Sequence, residues 1–254
     1  MKIIACYKLV PEEESIKVNS DKTLNLSGAE WKVGQYDLNA VGAGIELMEA
    51  VGGEVVVLTA GGEIVDNSKL KKSILSRGPS QMYGIMDSAL FGADSYATAQ
   101  VLKAGVEKIG GADLVLCGEG SGDIYSQQVG SMLGAMLGWP TVNAVSKVTA
   151  EGNKLIVERN LESCVEVLEM ELPAVISVTS DINMPRIPGM KDILAAGKKP
   201  ATIWSPADVL TSAKCVTETV SMLAPEQPGR LQIVLDGDSE ENIETLYNYL
   251  RKAL

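Results

Sequence analysis

Residues 117–130, with the sequence CGEGSGDIYSQQVG, combine glycines, hydroxyls and amides in an arrangement that suits nucleotide binding. The glycines let the backbone approach a ligand closely and adopt positive φ angles; they are Gly118, Gly120 and Gly122. A helix is predicted to begin near Ser126, and the unpaired N–H groups of its first turn would attract phosphate; they belong to Ser126, Gln127, Gln128 and Val129. Asp123 would repel a phosphate in direct contact, so we expect it to form a turn or to bind a ribose.

The spacing of these glycines matches neither of two common phosphate-binding motifs. The last glycine of G-x-G-x-x-G would fall on Asp123, and G-x-x-x-x-G-K-[ST] is not matched. The residues alone therefore leave two interpretations open, a glycine-rich turn and a nucleotide-binding loop. Residues 7–11 and 59–62 also follow predicted strands and would lie at the same edge of a parallel sheet. Three such loops favour a mononucleotide cleft.

The composition excludes several kinds of chemistry. The chain of 254 residues contains no histidine, which removes Ser-His-Asp and Cys-His catalysis and His-ligated zinc. Its four cysteines form no C-x-x-C pair, so we expect no metal site. A net charge of −11 argues against nucleic acid as a partner. Because no apolar run is long enough to span a membrane and the scattered cysteines fit a reducing compartment, we expect no membrane insertion and a cytoplasmic location.

Short apolar runs alternate with amphipathic stretches through the first two thirds of the chain. Strands are predicted at residues 3–7, 55–59, 82–86 and 114–117. Helices are predicted to end at Gly52, to begin at Asp94 as N-cap, and to run from near Ser126 to Gly138. This order predicts an α/β fold, an open, mostly parallel twisted sheet with helices on both faces.

The last third of the chain follows a different pattern. Residues 154–159 and 165–170 predict an antiparallel hairpin added to the sheet edge, and residues 174–178 predict a further buried strand. The long connection over residues 180–199 is typical of a functional or disordered loop. Residues 231–235 predict a last strand, followed by an amphipathic helix with Asp238 as its cap.

Several segments in order resemble the β subunit of electron transfer flavoproteins, over residues 1 to about 204. The start CYKLVP is similar to the family's V-K-x-V-P/I, and VGQYDLNAV at residues 33–41 is similar to I-N-P-Y-D-E-x-A. Residues 118–130 fit G-x-x-x-x-D-x-x-x-x-Q-V/T-G, and LGWP fits L-x-W-P. Each motif is weak alone, but their order and spacing are specific. ILSRGP and YDLN most resemble the FixA type, which is associated with anaerobic acyl-CoA and carnitine reduction.

The resemblance implies an adenine nucleotide alpha hydrolase-like fold, no catalytic residues, and FAD shared with an α subunit. This subunit would itself hold AMP, or a second FAD as in electron-bifurcating members. The cofactor-binding residues carried over by position are Cys6, Gly34, Gln35, Tyr36, Asp37, Ala60, Gly118, Glu119, Gly120, Ser121, Gly122, Asp123, Ile124, Tyr125, Ser126, Gln127, Gln128 and Val129. Cys6 would serve packing rather than redox chemistry, and Tyr36 would lie near the shared flavin or in the core. Gly34 and Gln35 replace the family's Asn-Pro, which leaves the nucleotide's identity open.

The resemblance also implies where partners bind. Residues 1–204 would form the nucleotide-binding domain, and 205–254 an arm on the α subunit, although its last strand and helix could pack locally. A recognition loop at 183–199 would dock on acyl-CoA dehydrogenase or reductase-type flavoenzymes through Pro188, Met190 and Ile193. The alternative is that Met190 packs on its own domain. Lys198 and Lys199 are expected to be solvated ends of this loop.

Different classes of function remain as hypotheses. The favoured one is an electron-carrying β subunit of a heterodimer, with electron bifurcation as a variant. The alternative is a stand-alone module that binds an adenine nucleotide without an α partner. A NAD-dependent oxidoreductase is disfavoured because the dinucleotide motif is broken.

Overall fold

The computed structural model describes residues 1–209, 214–226, 229 and 232–253. Within these residues the strands are β1 (Lys2–Cys6), β2 (Leu9–Pro11), β3 (Lys17–Val18), β4 (Leu24–Asn25), β5 (Trp31–Val33), β6 (Glu54–Gly61), β7 (Gln81–Met86), β8 (Leu114–Gly118), β9 (Thr141–Glu151), β10 (Lys154–Asn160), β11 (Val165–Glu171), β12 (Ala174–Val178) and β13 (Ala201–Trp204). The α-helices of the same ranges are α1 (Gln35–Val51), α2 (Ser68–Leu75), α3 (Ser95–Lys108), α4 (Val129–Leu137), α5 (Met190–Ala196) and α6 (Glu240–Ala253).

The main sheet of the described chain contains nine strands in the order β11-β10-β9-β12-β8-β1-β6-β7-β13. The seven strands β9, β12, β8, β1, β6, β7 and β13 are parallel to one another. Strands β10 and β11 extend the sheet beyond β9 as an antiparallel hairpin. Ile3 and Ala5 of β1 share a buried cluster with α1 and α2, whereas Ile4 and Cys6 share one with α3 and α4. The predicted fold class, with both faces covered and an added hairpin, is therefore confirmed.

The ends of α1 and α3 follow from local signals. Helix α1 stops at Gly52, whose φ of 78° favours glycine and whose N–H donates to the carbonyl of Met48 at 2.9 Å. Helix α3 starts after Asp94, whose carboxylate accepts the N–H of Ala97 at 2.8 Å. Both ends agree with the sequence prediction.

The sequence did not predict the short strands β2 to β5 or the long strand β9. It also did not predict two short helices and one edge strand. Helix α2 follows Asn67, whose side chain accepts the N–H groups of Lys69 and Leu70 at 3.0 and 3.2 Å. Helices α2 and α5 span eight and seven residues, too few for a clear apolar period, and they pack on each other. Strand β13 pairs in parallel with β7. Tertiary contacts rather than local pattern therefore define these three elements.

The predicted start of α4 near Ser126 is wrong. The helix begins at Val129, because Tyr125 and Gln127 adopt positive φ angles of 52° and 56° that interrupt a right-handed helix. The chain from Glu119 to Gln128 is consequently an irregular loop.

Two predictions about the last element pair are also wrong. Residues 232–235 form no strand, because a strand needs a neighbour and no described strand pairs with them; Leu231 lies outside the described residues. Ser239, not Asp238, caps α6: the N–H of Asn242 donates to Ser239 Oγ at 3.3 Å. Arg251 and Lys252 lie in its last turn, where positive charge is favourable to the helix dipole.

Residues 214–226 return across the domain. The N–H groups of Val216 and Thr217 donate to Oδ2 of Asp94 at 2.7 and 2.8 Å, and Leu223 forms a bridge with Thr23. This segment thus connects the start of α3 with the β3–β4 hairpin. None of the helices in the described ranges combines the length and the apolar character needed to cross a membrane.

Candidate functional site

The carboxyl ends of β1 and β8 mark a crevice at one edge of the main sheet. From β1 the strand order continues through β6 and β7 to one side, whereas β8 and β12 pair on the other side. The strand order thus changes direction between β1 and β8, and the connections after these two strands run to opposite sides. Open parallel sheets bind their ligands at such a point. Residues 6–8, 34–37 and 118–129 meet at this edge around Asp37, and we call the place where they meet the β1/β8 crevice, with these three segments as its walls.

Asp37, in the first turn of α1, connects the three walls. Its Oδ2 accepts the N–H of Lys8 at 2.7 Å, and the residue is only 7% exposed. A Cβ at Gly34 would lie 2.6 Å from Oδ2, and a Cβ at Gly118 would lie 2.6 Å from Oδ1. Glycine at both positions therefore makes room for the carboxylate.

The surroundings of Asp37 also change its ionisation. Burial raises the pKa of this carboxyl to about 7, although hydrogen bonds from the N–H groups of Lys8 and Gly118 oppose the shift. The group therefore exchanges its proton near neutral pH. Perturbed carboxyls in a crevice are a recurrent feature of functional sites.

Two tyrosines border the glycine-rich loop. The ring of Tyr125 lies 5.3 Å from the ring of Tyr36, with an interplanar angle of 47°. The Tyr125 hydroxyl donates to Oε1 of Glu119 at 2.7 Å. A Cβ at Gly120 would lie 2.5 Å from the Tyr125 ring, so the ring closes directly over the backbone there. This contact holds the loop in its bent path.

The loop presents free amides before α4. The N–H groups of Ser126, Gln127 and Gln128 donate to no acceptor within the described residues, and all three residues are exposed. Gln127 is left-handed and Gln128 right-handed, and such an alternation turns successive N–H groups toward one concave side. These amides are therefore free because of the loop geometry and not because a helix begins at Ser126, as the sequence predicted.

Lys8 is a residue of the crevice that the sequence analysis did not single out. Its Nζ donates to Oδ1 and Oδ2 of Asp123 at 2.8 and 2.6 Å. Burial alone would raise the pKa of Asp123, but hydrogen bonds from Lys8 and Ser121 outweigh it and hold the pKa below the usual range. The signal was present in CYKLVP, where Lys8 follows β1. A cation therefore lies beside the loop, paired in this structure with a carboxylate.

Cys6 lies below the crevice in the core. It is buried beside Cys117 on the neighbouring strand, and hydrogen bonding with Cys117 together with burial raises the pKa of its thiol well above the usual value. A protonated, buried thiol is a poor nucleophile, which favours the packing role. No group of three or more Asp, Glu or Cys side chains in the described ranges could hold a metal ion.

Not every carried-over position lies in the crevice itself. Ala60 is the next-to-last residue of the neighbouring strand β6 and packs against the core cluster of α3 and α4. One residue earlier, the hydroxyl of Thr59 is buried and has no partner within the described chain. Ile124 is 55% exposed and Gln35 is exposed, so both point outward from the walls.

The three residues predicted for partner docking lie on the connection between β12 and β13. Met190 is 73% exposed and Ile193 is 43% exposed, so Met190 does not pack back on its own domain; Pro188 is half-buried. Lys198 is exposed as predicted, but the prediction for Lys199 is wrong. Its Nζ donates to the carbonyls of Leu75, Gly78 and Pro79 at 2.8, 3.3 and 2.7 Å.

A comparison with protein families adds an independent finding. Residues 22–209 match the electron transfer flavoprotein domain, which is more than half of the chain and includes most of the crevice. Proteins of this family associate with a flavin, form heterodimers and generally carry electrons without catalysing a reaction. The chain belongs to the electron transfer flavoprotein domain family.

Proposed function

We propose that this chain is the β subunit of a heterodimeric electron transfer flavoprotein of the FixA type. It would carry electrons between acyl-CoA dehydrogenase or reductase-type flavoenzymes and other redox partners, through FAD shared with an α subunit. The observation that carries the proposal is the convergence of three separate motif segments on the β1/β8 crevice, around Asp37. The missing histidine accords with a carrier that makes no covalent bonds.

The β1/β8 crevice would hold an adenine nucleotide, AMP or a second FAD. The free amides of Ser126, Gln127 and Gln128 would donate to its phosphate, and Lys8 would balance negative charge there. Gly118 and Gly120 would support the site indirectly, because the absence of a side chain makes room for Asp37 at Gly118 and for the Tyr125 ring at Gly120. A flavin, when bound, accepts and releases electrons; the chain's own residues would bind, orient and shield it.

Residues 183–199 would present the surface for the partner flavoenzyme. Exposed apolar side chains cluster on this connection, at 92% for Met184, 89% for Ile187, 73% for Met190 and 69% for Leu194. Unbranched thioethers adapt to different pockets, which suits transient docking. So much exposed apolar surface on one connection is typical of an interaction site, and we infer that this loop binds a partner.

Residues 205–254 would form the arm that contacts the α subunit. The proposed boundary at residue 205 comes directly after β13, and α6 exposes Ile243, Leu246, Tyr247 and Leu250 along one face. An amphipathic helix with an uncovered apolar face gains stability when a partner buries it. The unpaired, β-prone residues 232–235 would likewise find their neighbour in the complex.

Co-expression with a flavin-binding α subunit of the same family tests this proposal. We expect a stable 1:1 complex with a flavin absorption spectrum that is reduced by an acyl-CoA dehydrogenase supplied with its substrate. A chain that stays alone, retains an adenine nucleotide and never acquires flavin would instead be the stand-alone module. Bifurcation would require a second flavin in the crevice.

A further inference from the structure

We propose that Asn39 is a positioning residue that fixes the base of the 183–199 loop to α1, and so holds the exposed apolar side chains ready for docking. The inference rests on the proposed docking function. Asn39 lies two residues after Asp37 on the same helix. It therefore links the helix that forms one wall of the crevice to the loop that would meet the partner.

Reciprocal hydrogen bonds join the two segments. Nδ2 of Asn39 donates to the carbonyl of Asn183 at 2.8 Å, to its Oδ1 at 3.3 Å and to the carbonyl of Ser180 at 3.2 Å. In return, Nδ2 of Asn183 donates to the carbonyl of Asn39 at 3.1 Å. Asn39 is 1% exposed and these hydrogen bonds are partly buried, so loss of its donor would take away this partner of the Ser180 and Asn183 carbonyls at a cost in stability.

Gly42 makes this contact possible from the helix side. A Cβ there would lie 2.9 Å from Oδ1 and 3.0 Å from Nδ2 of Asn183. The Asn183 amide thus packs against the bare backbone of α1, one turn after Asn39. Asn39 and Gly42, one turn apart on α1, therefore define where the loop begins.

The other contacts that hold the loop lie at its middle and its far end, so Asn39 is the residue that holds its start. Arg77 donates to the carbonyl of Arg186 at 2.6 Å, and Arg186 pairs with Glu49 at 2.8 Å, where both side chains are about half exposed. Lys199 holds the far end of the loop by donating to the carbonyl of Leu75, the last residue of α2, and to that of Pro79. Surface ion pairs contribute little, so the partly buried amide pair of Asn39 and Asn183 is the stronger restraint on the first half of the loop.

The position of the restraint explains its functional consequence. Met184 follows Asn183 directly and is 92% exposed, and Ile187 is 89% exposed. Fixing a loop before it binds reduces the conformational entropy lost on docking. The effect should therefore appear in the affinity for the partner and not in the electron-transfer step itself.

Two variants test the proposal in the αβ complex. Asn39→Leu removes the donor at a similar side-chain size without adding a buried charge, and Gly42→Ala pushes on Asn183 while leaving Asn39 in place. Ala50→Ser, exposed on the same helix, is the matched control. With a purified acyl-CoA dehydrogenase as donor, we expect both variants to raise KM roughly tenfold with kcat unchanged. Nucleotide content should stay at the wild-type level.

Amide hydrogen exchange separates this inference from the proposed function. Exchange over residues 183–199 should accelerate in both variants and not in Ala50→Ser. Unchanged exchange, or an unchanged KM in both variants, would overturn the positioning role. If kcat/KM, kcat and nucleotide content all fall together, Asn39 has a merely structural role. If the wild-type complex passes no electrons to or from any dehydrogenase, the proposed function fails, and exchange alone then decides the positioning role.

Discussion

Asp37 lies where its two carboxylate oxygens face two glycines and a backbone N–H, deep in the β1/β8 crevice. Its burial has a measurable consequence, since the folded-state pKa of about 7 lies above the ordinary value of about 3.9 for an unfolded chain. Between these two values the unfolded chain loses the proton while the folded chain keeps it. The fold therefore loses stability as the pH rises through this window, on the order of 4 kcal/mol in total.

Replacing Asp37 with Asn should remove this pH dependence. We expect the unfolding free energy of Asp37→Asn, relative to wild type, to rise from pH 5 to pH 8, measured by urea denaturation at each pH. Asp113→Asn is the matched control, because Asp113 accepts the N–H of Lys2 at the other end of β1 but is exposed. A constant difference across this range for Asp37→Asn would contradict the burial argument.

Two glycines of the same loop offer a paired test of the crevice. A Cβ at Gly118 would lie 2.6 Å from Asp37 and 2.8 Å from Tyr36, whereas a Cβ at Gly122 would meet only Glu13, at 3.8 Å. Gly118→Ala should therefore reduce adenine nucleotide affinity by roughly tenfold or more, while Gly122→Ala should leave it nearly unchanged. Isothermal titration with AMP measures both. Equal affinities in the two variants would exclude the walls as assigned.

At the scale of elements, most buried strands of the parallel sheet and the long helices were predictable because their signals are local, whereas β2 to β5, β9 and β13 were not predicted. Buried runs defined β1, β6, β7 and β8, and Asp94 and Gly52 defined helix ends. The loop from Glu119 to Gln128 was not predictable in detail, because positive φ at Tyr125 and Gln127 depends on contacts with Tyr36 and Glu119. The free amides of this loop were predicted, but as the first turn of a helix and not as part of an irregular loop.

Side chains that join distant elements were the least predictable part of the site. The pairing of Lys8 with Asp123 and that of Asn39 with Asn183 each connect residues more than a hundred positions apart. No local period or turn signal encodes such contacts. Lys199 illustrates the same limit. A charged residue at the end of a loop is expected to be solvated, and only the fold brings the carbonyl at the end of α2 close to it.

Helix α6 permits a prediction about assembly. Leu246 is 51% exposed on its apolar face, so Leu246→Glu should not lower the stability of the chain alone. The same change should weaken the αβ complex, because it would place a charge in a buried contact. Analytical ultracentrifugation of the complex measures the effect, with Glu244→Gln, also exposed, as control. Equal dissociation constants for the two variants would remove α6 from the subunit interface.

At the scale of the whole molecule, the crevice and the docking loop occupy different places and should be separable by mutation. Met190→Glu should slow electron transfer from an acyl-CoA dehydrogenase at least tenfold, because it charges an exposed apolar contact, while nucleotide content stays unchanged. Lys191→Gln, its exposed neighbour, is the control. Stopped-flow flavin reduction gives the rate. Full turnover in Met190→Glu would refute the docking role.

The central claim is that the β1/β8 crevice of this family member binds an adenine nucleotide within an αβ complex. The most direct measurement is to denature the purified complex and quantify the released nucleotides by chromatography. One FAD and one AMP per heterodimer is the result that a single-flavin carrier predicts, and two FAD without AMP would place a flavin in the crevice and make bifurcation the leading mechanism. A complex that releases only one FAD and no second adenine nucleotide would contradict the claim.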